Sequence, residues 1–214
     1  MKLVVFDLDG TLLDTIPDIT FYLNKAMDKF GFGILTESEV RKKVGHGAKE
    51  LVADCVGENV PESVIKECLD YYNKIYTESD SPRTKFFKGI ENLLTELKKS
   101  GYKLAILSNK PQFTVDKIYS IYLKKYSFDC VVGGGRFPFK PDKTALTEIM
   151  KELSVTKENT VMVGDGETDV LTAIKAEVKG VAVAWGYKDV AELISTGAKN
   201  IAYDTKELFN LIQK

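Results

Sequence analysis

A short apolar run that stops at an acid constrains the fold of this chain more than any other stretch. Residues 3–6 (Leu-Val-Val-Phe) are apolar without interruption, and Asp7 follows directly. A strand that is apolar at successive positions is typical of a parallel sheet, where both faces are buried. Asp9 comes two residues later, and in an extended chain it points to the same side as Asp7. Because open α/β sheets bind ligands beyond the carboxyl ends of their strands, the two acids are predicted to lie at a ligand-binding edge.

Two other interpretations of this stretch can be compared with the sequence. An EF-hand loop beginning at Asp7 would need Gly at its sixth position and Glu at its twelfth, where this chain has Leu12 and Asp18. That interpretation is excluded. An ordinary strand followed by a solvated acidic turn stays possible as long as this stretch is taken alone.

Composition limits the class of ligand and the compartment. The 214 residues are 44% hydrophobic, which is enough for one sizeable core and a smaller satellite domain. Thirty basic residues against thirty-one acidic ones argue against nucleic acid or a membrane surface as a partner, so any bound phosphate is expected on a small molecule. Three widely spaced cysteines, no signal peptide and no apolar stretch of about 20 residues favour a cytoplasmic protein.

The periodicity of the chain changes twice, and these changes predict its domains. Residues 15–83 carry apolar positions at helical spacing and end in a Ser-Asp-Ser-Pro linker at 79–82. Strands and helices then alternate to the end of the chain, which predicts a parallel sheet with right-handed crossovers. The expected architecture is an α/β, Rossmann-like parallel sheet core formed by 1–14 and 84–214, with an all-helical domain inserted at 15–83.

Polar and charged side chains stand where the predicted strands end. They are Asp7 and Asp9, Ser108 and Asn109, Asp165 and Asp169, and Lys140 at the head of a helix. In a parallel sheet these groups are expected to converge at one edge. Four carboxylates against one ammonium leave about three negative charges, which requires a divalent cation. Carboxylates without nearby His or Cys favour magnesium.

These motifs resemble, in order and spacing, the four motifs of the haloacid dehalogenase superfamily of aspartyl-phosphate-forming phosphatases. They are Asp7-Leu8-Asp9-Gly10-Thr11, Leu107-Ser108-Asn109, Lys140-Pro141 and Gly164 through Asp169. The helical block falls where one cap class of the superfamily is inserted. Pro17-Asp18-Ile19 and the loop 45–48 with Leu51 resemble the phosphoglycolate phosphatase branch. Many relatives have Ser where this chain has Gly166, but both flanking acids are present.

The resemblance implies a role for each motif residue. Asp7 would be the nucleophile and a magnesium ligand, and Asp9 would be the general acid and base whose backbone carbonyl binds the metal. Asp165 would be a further metal ligand, and Asp169 would support the metal site from behind or hold Lys140. The phosphate-binding residues would be Ser108, Asn109 and Lys140.

The lone histidine, His46, lies between two glycines in the predicted cap. By default such a loop residue is solvated, but His46 or Lys49 could contact the non-phosphate end of the substrate. The expected protein is a monomer or weak homodimer that hydrolyses a small phosphorylated metabolite, with 2-phosphoglycolate the leading candidate.

Other functions share the same core residues and stay open. A pyrophosphatase, a sugar-phosphate phosphatase or a β-phosphoglucomutase-like phosphotransferase would fit the motifs. A dehalogenase is disfavoured because that branch lacks the acid found here at Asp9. A non-enzymatic phosphoacceptor is also disfavoured, since receiver domains carry the acceptor Asp on a middle strand and have no helical insertion.

Overall fold

The computed structural model describes residues 2–214, and a parallel sheet of six strands forms its centre. The strands in this range are β1 (Leu3–Phe6), β2 (Leu13–Asp14), β3 (Lys85–Phe86), β4 (Lys103–Pro111), β5 (Cys130–Gly134), β6 (Thr160–Gly164), β7 (Lys179–Val183) and β8 (Ile201–Ala202). The central sheet has the order β5-β4-β1-β6-β7-β8 with parallel pairings throughout. The α/β, Rossmann-like class predicted from the sequence is confirmed.

Ten α-helices accompany this sheet in residues 2–214. They are α1 (Ile16–Lys29), α2 (Glu37–Lys43), α3 (Ala48–Val56), α4 (Glu62–Thr77), α5 (Ile90–Lys99), α6 (Gln112–Ile118), α7 (Thr144–Glu152), α8 (Glu167–Ala176), α9 (Val190–Thr196) and α10 (Thr205–Gln213). A π-helical turn at Tyr119–Leu123 and 3₁₀ turns at Lys124–Tyr126 and Lys157–Asn159 complete the helical structure of the described range. Within residues 2–214 no helix has the length and apolar character that crossing a membrane requires.

Strand β1 is central because its side chains are buried on both faces. Val4 and Phe6 pack into the larger core cluster, whereas Leu3 and Val5 pack into the cluster on the opposite face. All four have no measurable exposure, as the uninterrupted apolar run predicts. Neighbouring strands β4 and β6 pair with β1 in register, so the carboxyl ends of these three strands meet at one edge.

A small antiparallel sheet joins the two ends of the helices α1–α4. Leu13 of β2 pairs with Phe86 of β3, so the chain leaves and re-enters the α/β core at adjacent points. The buried Asp18 strengthens this junction, because one of its oxygens accepts hydrogen bonds from the backbone of Arg83 and Thr84 at 3.0 and 2.6 Å. The pairing supports the proposed division at 15–83, which stays a prediction.

Two local features differ from what the sequence predicts, which is a strand that ends at Leu107 and a last helix capped by Thr205. Strand β4 continues past Leu107 to Pro111, because the chain bulges there and resumes pairing with β5 at Gly134. The last helix is capped by Asp204 and not by Thr205. The Asp204 carboxylate accepts hydrogen bonds from the amides of Lys206 and Glu207, and this supplies the acceptors that the first turn of the helix lacks.

Candidate active site

Three carboxylates meet at the carboxyl edge of the sheet. Asp7 follows β1, Asp165 follows the adjacent β6, and Asp169 lies in the first turn of α8. One oxygen from each carboxylate lies within 4.8 Å of the other two. Carboxylates this close repel one another unless a cation or a proton compensates their charge.

Lys140 supplies part of that compensation. Its buried ammonium donates hydrogen bonds to Oδ1 of Asp7 at 2.8 Å and to Oδ1 of Asp169 at 2.6 Å. Burial alone would lower the pKa of Lys140, but the Asp169 and Asp7 carboxylates outweigh it and raise the pKa. Lys140 therefore carries its full charge between two acids.

One ammonium does not balance three carboxylates. Burial, reinforced by repulsion from Asp169 and opposed by Lys140, raises the pKa of Asp7 from an ordinary 3.8 to about 7. Burial and the charges of Asp7 and Asp169 raise the pKa of Asp165 as well. Without a metal ion the cluster therefore retains a proton near neutral pH.

The Asp165 carboxylate is fixed by donors from two loops. Its Oδ1 accepts from the Thr11 hydroxyl at 2.9 Å, and its Oδ2 accepts from the Tyr187 amide at 2.7 Å. Gly10 makes this approach possible, because a Cβ there would overlap the Asp165 carboxylate and because its φ of +84° is unfavourable for other residues. A Cβ at Gly164 would overlap Asp169 in the same way.

Asp9 is not a member of the three-carboxylate cluster and has its own partners. Both of its oxygens accept hydrogen bonds from the ammonium of Lys110 at 2.9 Å, and Oδ1 also accepts from the Thr15 hydroxyl at 2.6 Å. The Lys110 ammonium lies 4.9 Å from the ring centroid of Tyr76, a residue of α4. Lys110 is not among the residues predicted from the sequence, although it directly follows the Ser108-Asn109 motif.

The two polar residues of β4 have different surroundings. Ser108 is buried, and its hydroxyl accepts a hydrogen bond from the Lys110 amide at 3.2 Å. The Asn109 side chain donates to the carbonyls of Gly45 and Lys140 and accepts from the Lys140 amide. Asn109 thus connects the sheet edge to the loop between α2 and α3, and both N–H donors of its side chain are used.

A cleft between the sheet edge and the helices α1–α4 encloses these groups. It holds about 710 Å³ of space that opens to solvent. All seven core residues singled out from the sequence line it, namely Asp7, Asp9, Ser108, Asn109, Lys140, Asp165 and Asp169. The opposite wall is largely apolar and is formed by Ile19, Val44, Ala48, Leu51, Tyr72 and Tyr76.

The two residues singled out in the predicted cap do not line this cleft. The imidazole of His46 is half exposed and pairs through Nε2 with Oε1 of Glu167 at 3.0 Å. Lys49 is 65% exposed and lies 3.9 Å from Glu62. The neighbouring Gly45 and Gly47 line the cleft instead. A substrate contact by His46 or Lys49 stays a prediction.

The donor set of the cluster fits a hard divalent cation. It consists of carboxylate oxygens, and the described residues place no imidazole or thiolate among them. Both Asp169 oxygens already accept hydrogen bonds, one from Lys140 and one from the Gly166 amide. Both Asp165 oxygens accept hydrogen bonds as well, from Thr11 and Tyr187, so hydrogen bonding does not separate the two acids. The assignment of Asp7 and Asp165 as metal ligands, with Asp169 supporting them, stays a prediction from the motif resemblance.

Comparisons with known proteins agree with this geometry. The family model for haloacid dehalogenase-like hydrolases matches residues 4–183. The phosphoglycolate phosphatase of Vibrio parahaemolyticus serotype O3:K6 is 30% identical over 220 residues, with 99% of this chain and 96% of that protein covered. Phosphoglycolate phosphatase 1 of Pseudomonas aeruginosa is 33% identical over 193 residues, with 87% and 70% covered.

A solved structure shows the same fold. The crystal structure of a predicted phosphoglycolate phosphatase from Haemophilus somnus 129PT superimposes with a TM-score of 0.91 at 24% identity, over 99% of this chain and 97% of that one. Together with the family match, these likenesses establish that the chain belongs to the haloacid dehalogenase-like hydrolase family. Phosphatases of this family depend on a divalent metal, and the acidic cluster provides a donor set for one.

Proposed function

We propose that this hydrolase is a magnesium-dependent phosphatase of a small phosphate monoester, and that 2-phosphoglycolate is its substrate. The observation that carries the proposal is the environment of Asp7. Its carboxylate lies at the sheet edge, inside the cleft, with a charged lysine on Oδ1 and two further carboxylates beside it. Such a group can act as a nucleophile once a cation compensates the cluster.

In the first half of the reaction Asp7 attacks phosphorus. A bond forms between a carboxylate oxygen and phosphorus while the ester P–O bond breaks, which gives an aspartyl phosphate and an alkoxide. Lys140 and the Ser108 hydroxyl lie in the same cleft and would stabilise charge on the phosphoryl oxygens. A bound magnesium ion would supply positive charge that offsets the repulsion between the cluster and the incoming phosphate.

Asp9 is the group that would move protons in both halves. It would donate a proton to the departing alkoxide, and its carboxylate would then take a proton from the water that attacks the aspartyl phosphate. The second attack breaks the bond between Asp7 and phosphorus, releases inorganic phosphate and restores the Asp7 carboxylate. Thr15 and Lys110 fix the Asp9 carboxylate at one place for these transfers.

The choice of 2-phosphoglycolate is supported by the names of the relatives from Vibrio and Pseudomonas, which match most or all of this chain. The monomeric or weakly dimeric state and the cytoplasmic location expected from the sequence stay predictions.

Turnover of purified protein on a panel of phosphorylated metabolites tests the proposal. We expect 2-phosphoglycolate to have the highest kcat/KM in magnesium, no turnover after chelation, and recovery when magnesium is returned. Calcium should not restore activity, because its larger and looser coordination would misplace the reacting groups. Full turnover in metal-free buffer would contradict the metal assignment, and a sugar phosphate or pyrophosphate as the best substrate would contradict the substrate assignment.

A further inference from the structure

Lys110 is a buried cation in the cleft, and the proposed reaction assigns it no contact with the substrate. Its side chain is 6% exposed, and it lines the cleft beside Asp9. A lysine ammonium has three N–H donors. The two Asp9 oxygens engage Lys110 at 2.9 Å each, which leaves one donor for a further acceptor in the cleft.

The position of Lys110 relative to Asp9 identifies that acceptor, if the proposed function holds. To protonate the leaving group, Asp9 must lie about 2.6–3.2 Å from the ester oxygen. The Lys110 ammonium is 2.9 Å from both oxygens of Asp9, so it lies close to the ester oxygen as well. In 2-phosphoglycolate a single methylene separates the ester oxygen from the carboxylate. We propose that Lys110 binds the substrate carboxylate and makes the enzyme selective for phosphate esters of 2-hydroxy acids.

The other cations of the cleft are less suited to this role. Within residues 2–214 they are Lys140 and Lys188. Lys140 is held between Asp7 and Asp169, at the end of the cleft where the phosphoryl group reacts. Lys188 lies 3.9 Å from Glu167 and donates at 3.4 Å to the carbonyl of Lys42 in α2. Neither contacts Asp9, so neither is placed beside the leaving oxygen.

The surroundings of Lys110 strengthen a contact with an anion. One side of the ammonium is covered by the ring of Tyr76, which is 2% exposed, and the apolar residues Ile19 and Leu51 line the same wall. A carboxylate entering this cleft loses water and meets several acidic residues, which is unfavourable without a cationic partner. A charge-assisted hydrogen bond in such a place is stronger than one in water.

The test compares three substrates that share a phosphate on a primary carbon. The first is 2-phosphoglycolate, the second is its neutral amide, and the third is 3-phosphooxypropanoate, which has one more methylene. The proteins are the wild type, Lys110→Met and Lys110→Arg. Lys98→Met is the matched control, because Lys98 also pairs with a carboxylate, Asp129, at 2.7 Å but lies away from the cleft. Lys188→Met tests the competing cation.

We expect the wild type to favour 2-phosphoglycolate over its amide in kcat/KM, and Lys110→Met to reduce this preference by about 10- to 100-fold. Most of that loss should be in KM for 2-phosphoglycolate. Lys110→Arg should retain more of the preference than Lys110→Met because it keeps the charge, and Lys98→Met should keep all of it. A lysine that merely positions Asp9 would lower the rates of all three substrates equally, and that result would overturn the proposal. A preference lost in Lys188→Met and kept in Lys110→Met would also overturn it.

Two further results keep the proposal separate from the proposed function. If the wild type does not hydrolyse 2-phosphoglycolate, the proposed function fails before any variant is considered. If the wild type prefers 2-phosphoglycolate and a folded Lys110→Met protein keeps that preference, this inference alone fails. If Lys110→Met does not fold, as judged by circular dichroism, the wild type still tests the proposal through the longer acid. Hydrolysis of 3-phosphooxypropanoate as fast as that of 2-phosphoglycolate would contradict a carboxylate site adjacent to the ester oxygen.

Discussion

The sheet edge and the loop between α2 and α3 border the same cleft, but they are held very differently. At the edge, Lys140, Asp165 and Asp169 are less than 5% exposed, and each makes at least two hydrogen bonds through its side chain. In the loop, His46 is half exposed and its side chain has one partner, the Glu167 carboxylate at 3.0 Å. Breaking a buried charge pair strands the partner and costs several kcal/mol, whereas an exposed pair contributes about 0–1 kcal/mol.

This difference indicates that the sheet edge and the loop have different roles. The reacting groups are fixed by the sheet, since a nucleophile and its charge partners must be held in place for an in-line attack. The loop can change its contacts at little cost, which suits a wall that admits or rejects particular leaving groups. Substitutions at the edge should therefore affect every substrate, and substitutions in the loop should affect some substrates and spare others.

The largest effect tests the general acid at the border between the two regions. Asp9→Asn should lower kcat by about 10²–10⁴-fold on an alkyl phosphate, because the alkoxide then leaves without a proton. An activated aryl phosphate releases a good phenolate, so its first step should slow much less. Rates on matched alkyl and aryl phosphates measure the difference. Wild-type rates on both substrates would show that Asp9 is not the acid.

Lys140→Met tests the edge itself. It should lower kcat by about 10²–10³-fold on alkyl and aryl phosphates alike, since a group that stabilises developing charge is lost. In metal-free buffer the free energy of unfolding should fall by about 3–5 kcal/mol, because Asp7 and Asp169 lose their cationic partner. The control is Lys125→Met, which removes an exposed pair with Glu91 and should change stability by less than about 1 kcal/mol. Equal effects of the two variants would contradict the comparison.

The acid cluster also predicts how stability depends on pH. Asp7 has a raised pKa in the folded state, about 7 against an ordinary 3.8, so its protonated form favours folding. Its contribution is fully present below pH of about 4 and is lost as the pH rises through about 7.

Thermal unfolding without metal can isolate this contribution. Between pH 4 and pH 7 the wild type should lose several degrees of melting temperature relative to Asp7→Asn, and saturating magnesium should remove much of that difference. Because Asn does not titrate, Asp7→Asn serves as the reference for the wild type. If the melting temperatures of the two proteins change equally with pH in metal-free buffer, the cluster does not hold its proton.

His46→Ala should have the smallest effect, and it tests the role of the loop between α2 and α3. If the loop contacts the leaving group, kcat/KM for 2-phosphoglycolate should fall a few fold while the aryl phosphate is unaffected. Because the His46–Glu167 pair is half exposed, a larger loss is not expected. Glu167→Gln removes the same pair from the other side and serves as the matched variant. Equal losses on both substrates would argue against a loop that faces the substrate.

Much of the sheet edge could be predicted, because the end of a strand can be located from the local sequence. The carboxyl ends of parallel strands then lie at the same edge of the sheet. Asp7, Asp165 and Lys140 were each found next to a strand or a helix start, and parallel pairing then placed them together. Lys110 was not found, because its partner Asp9 is 101 residues away and the pairing depends on how β4 bulges after Leu107.

The remaining differences have the same origin in tertiary contacts. Strands of two residues, such as β2 and β3, carry no periodic signal, so the small sheet that joins the helices to the core could not be predicted. The direction of the His46 side chain depends on Glu167 of α8, far along the chain. The hydrogen bonds of the Asn109 side chain to Gly45 and Lys140 arise from the approach of the loop to the sheet edge, and a contact of Asn109 with phosphate stays a prediction.

Rapid acid quench with a radiolabelled aryl phosphate tests whether Asp7 carries the phosphoryl group during turnover. Asp9→Asn is the informative background, because phosphorylation continues slowly there while hydrolysis of the intermediate becomes limiting. We predict acid-stable, hydroxylamine-sensitive label on the peptide that contains Asp7, and no label when Asp7→Asn is added. Label on another residue such as Ser108, or sustained turnover by Asp7→Asn alone, would contradict the account.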